Sequence, residues 1–290
     1  MKSKAFIFIV LAGILWGTSG IFFALLSPFG FSPLQMTAMR GVVSAIIMSI
    51  YTFFANRQLF KVGIKELIMF ICSGFSVFLT ASTYFAAIKA ASVSAAVILM
   101  YTAPIFVMSF SVAFLGEKLT LLKGGSVVLV IIGCALVSGV AGGIKLSLSG
   151  LLLGLAAGVS YSAYNIFTKI SMLRGYNSTS STVYCFIFMG IASLPFCSPV
   201  SFAENTLRAP LVTIPLIIGI GVFTCVLPYF FYTLALRDIP AGTASSLSII
   251  EPMSATLFSV VFLNENLGFY AAIGILLILI AVFLLSKSEK

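Results

Sequence analysis

The sequence predicts an all-α membrane protein with ten transmembrane helices, arranged as two inverted five-helix repeats, and with the N-terminus and C-terminus both cytoplasmic. Three observations predict it. The composition is too apolar for a soluble fold, apolar stretches of membrane-spanning length recur ten times, and the chain matches itself at an offset of 148 residues.

Of the 290 residues, 61% are hydrophobic and only 8% charged, and the mean hydropathy is +1.20. A soluble domain carries roughly 25% charged residues, so most of this surface needs lipid around it. The net charge of +9 would suit a nucleic-acid partner if the basic residues formed a stripe on a soluble element. They lie instead in short loops, so nucleic acid is not expected as a partner. The cysteines Cys72, Cys134, Cys185, Cys197 and Cys225 sit inside apolar stretches without the paired spacings of a metal or redox site, and read as packing residues. Histidine is absent, which removes the usual proton shuttle and the commonest metal ligand. No metal or other cofactor is expected. A membrane-embedded enzyme, the competing class, would need a metal cluster or an activated nucleophile beside a base. Nor is there a nucleotide-binding P-loop.

About 20 apolar residues cross a hydrocarbon core as a helix, which satisfies its own backbone groups. Such spans run over 5–26, 33–54, 65–87, 92–115, 121–140, 147–168, 180–200, 211–235, 241–263 and 268–286. Lys2 and Lys4 precede the first in the manner of a signal peptide, but 5–26 exceeds the roughly 7 to 15 residues of a signal h-region and reads as a retained helix. Basic residues favour cytoplasmic loops. With the N-terminus inside, Lys2, Lys4, Arg57, Lys61, Lys65, Lys118, Lys123, Lys169, Arg174, Arg237, Lys287 and Lys290 fall inside. Lys89, Lys145 and Arg208 fall outside, and Arg40 lies within a span.

At the 148-residue offset, Phe110 to Leu119 (FSVAFLGEKL) overlies Phe258 to Leu267 (FSVVFLNENL) with seven identities in ten positions. The same offset superimposes Tyr84 on Tyr232, Ala87 on Ala235, Lys89 on Arg237, Ala96 on Ala244 and Pro104 on Pro252. A shorter match pairs Gly13, Gly17 and Ser19 with Gly154, Gly158 and Ser160. These pairings define repeat units at 1–143 and 144–290. Because five is odd, the second unit enters the membrane from the opposite side, an arrangement found in secondary transporters with a central site.

The Trp16-Gly17 pair, the Pro104 to Glu117 segment and the Glu251-Pro252 to Glu265 segment resemble the EamA-like members of the drug/metabolite transporter superfamily. The resemblance covers essentially the whole chain. It implies a cavity lined by spans 1 to 4 and 6 to 9, with spans 5 and 10 peripheral and available as a homodimer surface. It further implies a multi-pass protein of a bacterial plasma (inner) membrane whose partners are the lipid bilayer and a small organic solute. The activity implied is secondary transport, as an exporter of metabolites such as amino acids or amines by alternating access. The alternative is an uncoupled facilitator of drug-like, nucleobase or quaternary-amine solutes through the same cavity.

Glu251 lies about ten residues into the ninth span, roughly 15 Å deep. A charge there costs about 2.5 to 3.5 kcal/mol, which makes a functional role, including proton coupling, the first hypothesis. The structural alternative is a protonated carboxyl that ties helices together. Arg40, roughly 10 Å into the second span, either snorkels outward, pairs with Glu251 or binds a solute carboxylate. Trp16, Tyr84, Tyr101, Tyr161, Tyr164, Tyr229 and Tyr232 recur on the spans expected to line the cavity. Tyr161, Tyr164 and Asn165 share one face of their helix, and aromatic faces attract organic cations. Pro104 and Pro252 each free a carbonyl one turn earlier and bend their helices. Glu117 and Glu265 precede spans 5 and 10, where a carboxylate suits the positive end of the following helix. Gly150, Gly154 and Gly158 form a close-packing stripe.

Overall fold

The computed structural model describes residues 2–90, 93–137, 147–263 and 268–288. The first part of the chain forms α1 (Lys2–Gly17), α2 (Ser19–Leu26), α3 (Pro33–Ala55), α4 (Ile64–Ala90), α5 (Val93–Met100), α6 (Ala103–Phe114) and α7 (Leu121–Val137). The second forms α8 (Leu148–Leu173), α9 (Ser178–Ser193), α10 (Pro199–Leu207), α11 (Pro210–Gly221), α12 (Leu227–Ala235), α13 (Ala241–Leu247), α14 (Ile250–Leu263) and α15 (Phe269–Ser288). A π-helical segment, Val222–Val226, joins α11 to α12. Among the described residues, seven helical stretches are long and apolar enough to cross a membrane, and the apolar helices Ala103–Phe114, Leu121–Leu136 and Phe269–Leu285 are shorter.

Helix starts follow local chemistry. Ser32 and Gln35 form a reciprocal capping box ahead of α3, with Pro33 in the first turn, where its missing N–H costs nothing. Ser147 accepts the Gly150 N–H ahead of α8, and Asn177 accepts from Thr179 and Ser180 ahead of α9.

The spans read as continuous at 92–115 and 241–263 are each two helices. The first breaks between α5 and α6 at Tyr101–Thr102, the second between α13 and α14 at Ser248–Ile249. Under the 148-residue offset these breaks coincide to within one residue, and α15 begins at the position equivalent to the start of α7. The prolines explain the breaks. Each follows its break within the first turn of the next helix, so the carbonyl four residues earlier loses its donor and the chain re-enters the helix instead of merely bending. The first span also divides, at Thr18, immediately after the Trp16-Gly17 pair.

The broken helices are gripped by glycine-bearing helices of the other part of the chain. A Cβ on Gly154 of α8 would lie 2.6 Å from the Leu99 side chain, and one on Gly158 would lie 2.9 Å from the Leu99 carbonyl. Ser162 continues the row by donating to Ala103 O at 3.1 Å. Correspondingly, a Cβ on Gly17 of α1 would come within 2.6 Å of Ser254 and one on Gly13 within 2.9 Å of Ile250, both on α14. Elsewhere α4 packs on α8 and α9, α3 on α9, and α7 on α15. That last contact takes up one face of each helix expected to be peripheral. Their other faces carry exposed Val128, Ile132, Leu276 and Phe283.

Candidate solute-binding site

The two helix breaks meet. Tyr101, at the first break, donates its hydroxyl to Glu251 Oε2 at 2.7 Å, and Glu251 lies in the first turn of α14, directly after the second break. The positive end of the helix dipole favours a carboxylate at that position. Ser248, within the second break, accepts from the Tyr161 hydroxyl at 3.2 Å and donates to Ser245 O at 2.7 Å. One hydroxyl, that of Tyr101, thus reaches the half-buried acid, and a second, that of Tyr161, reaches the break just before it.

Beside it, Trp16, Tyr229, Tyr164 and Tyr232 form a closed circuit of ring contacts. Centroids are 5.1 Å apart for Trp16–Tyr229, 5.3 Å for Tyr164–Tyr229, 6.3 Å for Tyr164–Tyr232 and 5.3 Å for Trp16–Tyr232. Tyr161 stacks on Tyr164 at 6.3 Å. Asn165 is fully buried, donates to Tyr161 O at 2.7 Å and accepts from the Tyr232 hydroxyl. Two polar groups in this cluster are buried and unpartnered, the Trp16 indole N–H and the Tyr164 hydroxyl. Burying such groups without hydrogen bonds is costly. Next to them, Tyr164, Thr168, Ser181, Thr182, Thr233 and Tyr229 border a crevice too thin for a water.

Arg40 does not pair with Glu251. Among the described residues no ion pair joins the two. Arg40 instead reaches from α3 to the π-helical segment, donating from Nε to Cys225 Sγ at 3.3 Å and from Nη2 to Thr224 O at 3.1 Å. The reason lies four residues further on. Pro228 has no N–H, so the residue four beyond Thr224 cannot donate to its carbonyl, and Arg40 does. Cys225 therefore does more than pack. Tyr84 is tilted against Phe85 and makes no hydrogen bond to the other candidates among the described residues.

Two charged residues have roles that the sequence reading placed elsewhere. Lys169, read as an inner-loop residue, lies inside α8, is 7% exposed, and donates to Leu236 O and Ile239 O, both at 2.8 Å. An ammonium suits the carbonyl end of α12. Glu117 accepts the Ala241 N–H at 2.9 Å, so it caps α13 and not the helix that follows it in sequence. Gly116, with φ of 69°, turns the chain at this point. Its repeat partner Glu265 lies outside the described residues.

The description "EamA-like transporter family" fits the chain twice, over residues 3–139 and 148–287. The chain is similar to "Uncharacterized transporter YwfM" of Bacillus subtilis, 25% identical over 294 residues that span 100% of this chain and 96% of that one. It is also similar to an uncharacterized transporter of Clostridium kluyveri, 25% identical over 304 residues, 99% of this chain and 94% of the relative. A crystal structure of a protein with 17% sequence identity superposes with a TM-score of 0.79 over 98% of this chain and 96% of that chain. At that identity the likeness speaks for the fold alone.

Proposed function

This chain belongs to the EamA-like transporter family, and from that premise we propose a secondary transporter that carries small organic metabolites such as amino acids or amines by alternating access, as an exporter in a bacterial plasma membrane. Membership and the transporter relatives point to transport and not to enzymology, in a multi-pass membrane protein. Ten spans in two inverted five-helix halves, divided near residue 143, are the architecture we infer. The matching helix breaks and the twofold family match support it.

The observation that carries the reading is the hydrogen bond between Tyr101 and Glu251 across the two breaks. A broken helix presents free backbone groups and an ionisable side chain at the same depth, which is what a solute site in the membrane interior needs. The acid takes a solute ammonium or a proton. The Trp16 N–H and Tyr164 hydroxyl, buried without a hydrogen bond in this arrangement, become solute contacts once the cluster opens. Arg40 is held by backbone and sulfur here, and it retains guanidinium N–H groups for a solute carboxylate.

Reconstituted vesicles test this. A thermal-shift screen against amino acids, amines, nucleobases and quaternary ammonium compounds first identifies a solute, because a ligand stabilises the state it binds. Flux of that solute is then followed under an imposed pH gradient. Glu251→Gln should abolish the gradient-driven component. Unchanged rate and unchanged pH dependence would remove Glu251 from coupling and leave the uncoupled facilitator.

A further inference from the structure

The end of α3 and the turn after it form a hollow that the rest of the chain leaves open. Ser49, Ile50, Phe53, Phe54 and Phe60 line about 330 Å³ of space, and Phe54 is 81% exposed. Exposed apolar side chains alone mean only lipid contact. The rim of this hollow is different. The Arg57 guanidinium lies 3.8 Å over the Phe53 ring, an arrangement that fixes the cation against the wall while its in-plane N–H groups stay available. Lys61 follows Phe60 directly and is exposed, as is Lys65. Glu66, the single carboxylate between residues 57 and 66, is engaged by the Gly63 N–H at the start of α4.

The turn is held in shape. Ser180 donates to Leu59 O and Tyr184 to Phe60 O, both at 2.8 Å, and the Asn56 side chain accepts the Gln58 N–H at 3.0 Å. Phe70 packs on Tyr176 at 6.2 Å, which keeps the α8–α9 connection, with exposed Arg174, at the same end of the bundle. A shallow, open apolar hollow with a cationic edge suits a ligand that has a hydrocarbon tail and a net negative head.

We propose that this corner binds a phospholipid with an anionic headgroup, an acyl chain lying along Phe53 and Phe54 and the phosphate taken by Arg57 and Lys61. A zwitterionic lipid presents the same tail and phosphate but carries its own cation, so the rim prefers the anionic one.

The purified full chain in detergent is titrated with phosphatidylglycerol or phosphatidylcholine of matched acyl chains, and bound lipid is read by native mass spectrometry. Inorganic phosphate forms a third arm. Phosphatidylglycerol should bind more tightly, and Arg57→Gln with Lys61→Gln should cut its affinity by about 25-fold, at about five-fold per charge. Phosphatidylcholine should change little. Lys118→Gln with Arg237→Gln, exposed basic positions elsewhere, should preserve the preference. Phe54→Ala, which alters the wall and no charge, should weaken both lipids. Equal affinity for the two lipids overturns the proposal. So does a preference that survives loss of Arg57 and Lys61 or disappears with Lys118 and Arg237, or phosphate alone competing as well as the lipid. If Phe54→Ala changes oligomeric state but not lipid binding, the hollow belongs to a second copy and the proposal fails.

Discussion

Replacing Arg40 by methionine removes a guanidinium but keeps a long side chain in its place. The Thr224 carbonyl then loses the guanidinium N–H, and Pro228 has none to put in its place. A charge-assisted hydrogen bond contributes about 1.5 to 3 kcal/mol. Interhelical bonds in membrane bundles tend toward smaller values, with measured pairs averaging about 0.6 kcal/mol, so about 2 kcal/mol is the expected loss for Arg40→Met. The mechanism has a further consequence. Pro228→Ala restores an N–H four residues after Thr224, so in the Arg40→Met background it should recover about 1 kcal/mol, while in the parent chain, where Arg40 already occupies the carbonyl, it should recover nothing. The assay is reversible unfolding in detergent micelles, followed through Trp16, the single tryptophan, which is 3% exposed among tyrosines. Non-additivity of at least 0.5 kcal/mol is the signature of a shared partner. If the double variant equals the sum of the two singles within about 0.3 kcal/mol, Arg40 is not filling the acceptor that Pro228 leaves open, and the account of its position is wrong.

Other outcomes follow from the same geometry. Gly17→Ala drives a methyl group to 2.6 Å from Ser254 on α14 and should destabilise the chain by about 1 to 3 kcal/mol in the same unfolding assay, whereas Gly20→Ala, with open space around it, should not. Lys169→Met abandons the carbonyls of Leu236 and Ile239 and should cost about 1.5 to 3 kcal/mol; an unchanged midpoint would show that other donors replace it. Tyr101→Phe breaks the bond to Glu251. It should cost about 1.5 to 3 kcal/mol if the acid is charged and about 0.5 to 1.5 kcal/mol if it is protonated, so unfolding at two pH values distinguishes the states.

What could be read from the sequence was whatever depends on spacing along one helix. Apolar runs located the spans, and the shared face of Tyr161, Tyr164 and Asn165 follows from helical periodicity. The offset that pairs Pro104 with Pro252 located both helix breaks, although bending was expected where the chain breaks. What could not be read depends on which helix lies opposite. The Lys169 position looks like a loop because four residues separate it from the end of α8, yet its ammonium is fixed by α12 and the turn after it. Glu117 looks like a cap for the next helix and serves α13, more than a hundred residues away. Arg40 had three natural destinations, solvent, Glu251 or a solute carboxylate, and its bonds to Cys225 and the Thr224 carbonyl were not among them, because they depend on a proline on a third helix. Pro228 was the available signal, since any proline in an apolar span leaves an acceptor looking for a donor.

The reciprocal seating of Gly13 and Gly17 on α14, and of Gly154 and Gly158 on α5 and the bend after it, ties the evolution of distant stretches together. A side chain one methyl larger at any of these four positions is felt by a helix from the other part of the chain. Residues on the two sides of each contact are therefore free to drift only in matched pairs, and a segment exchanged with a relative would carry its partner's shape requirements along with it.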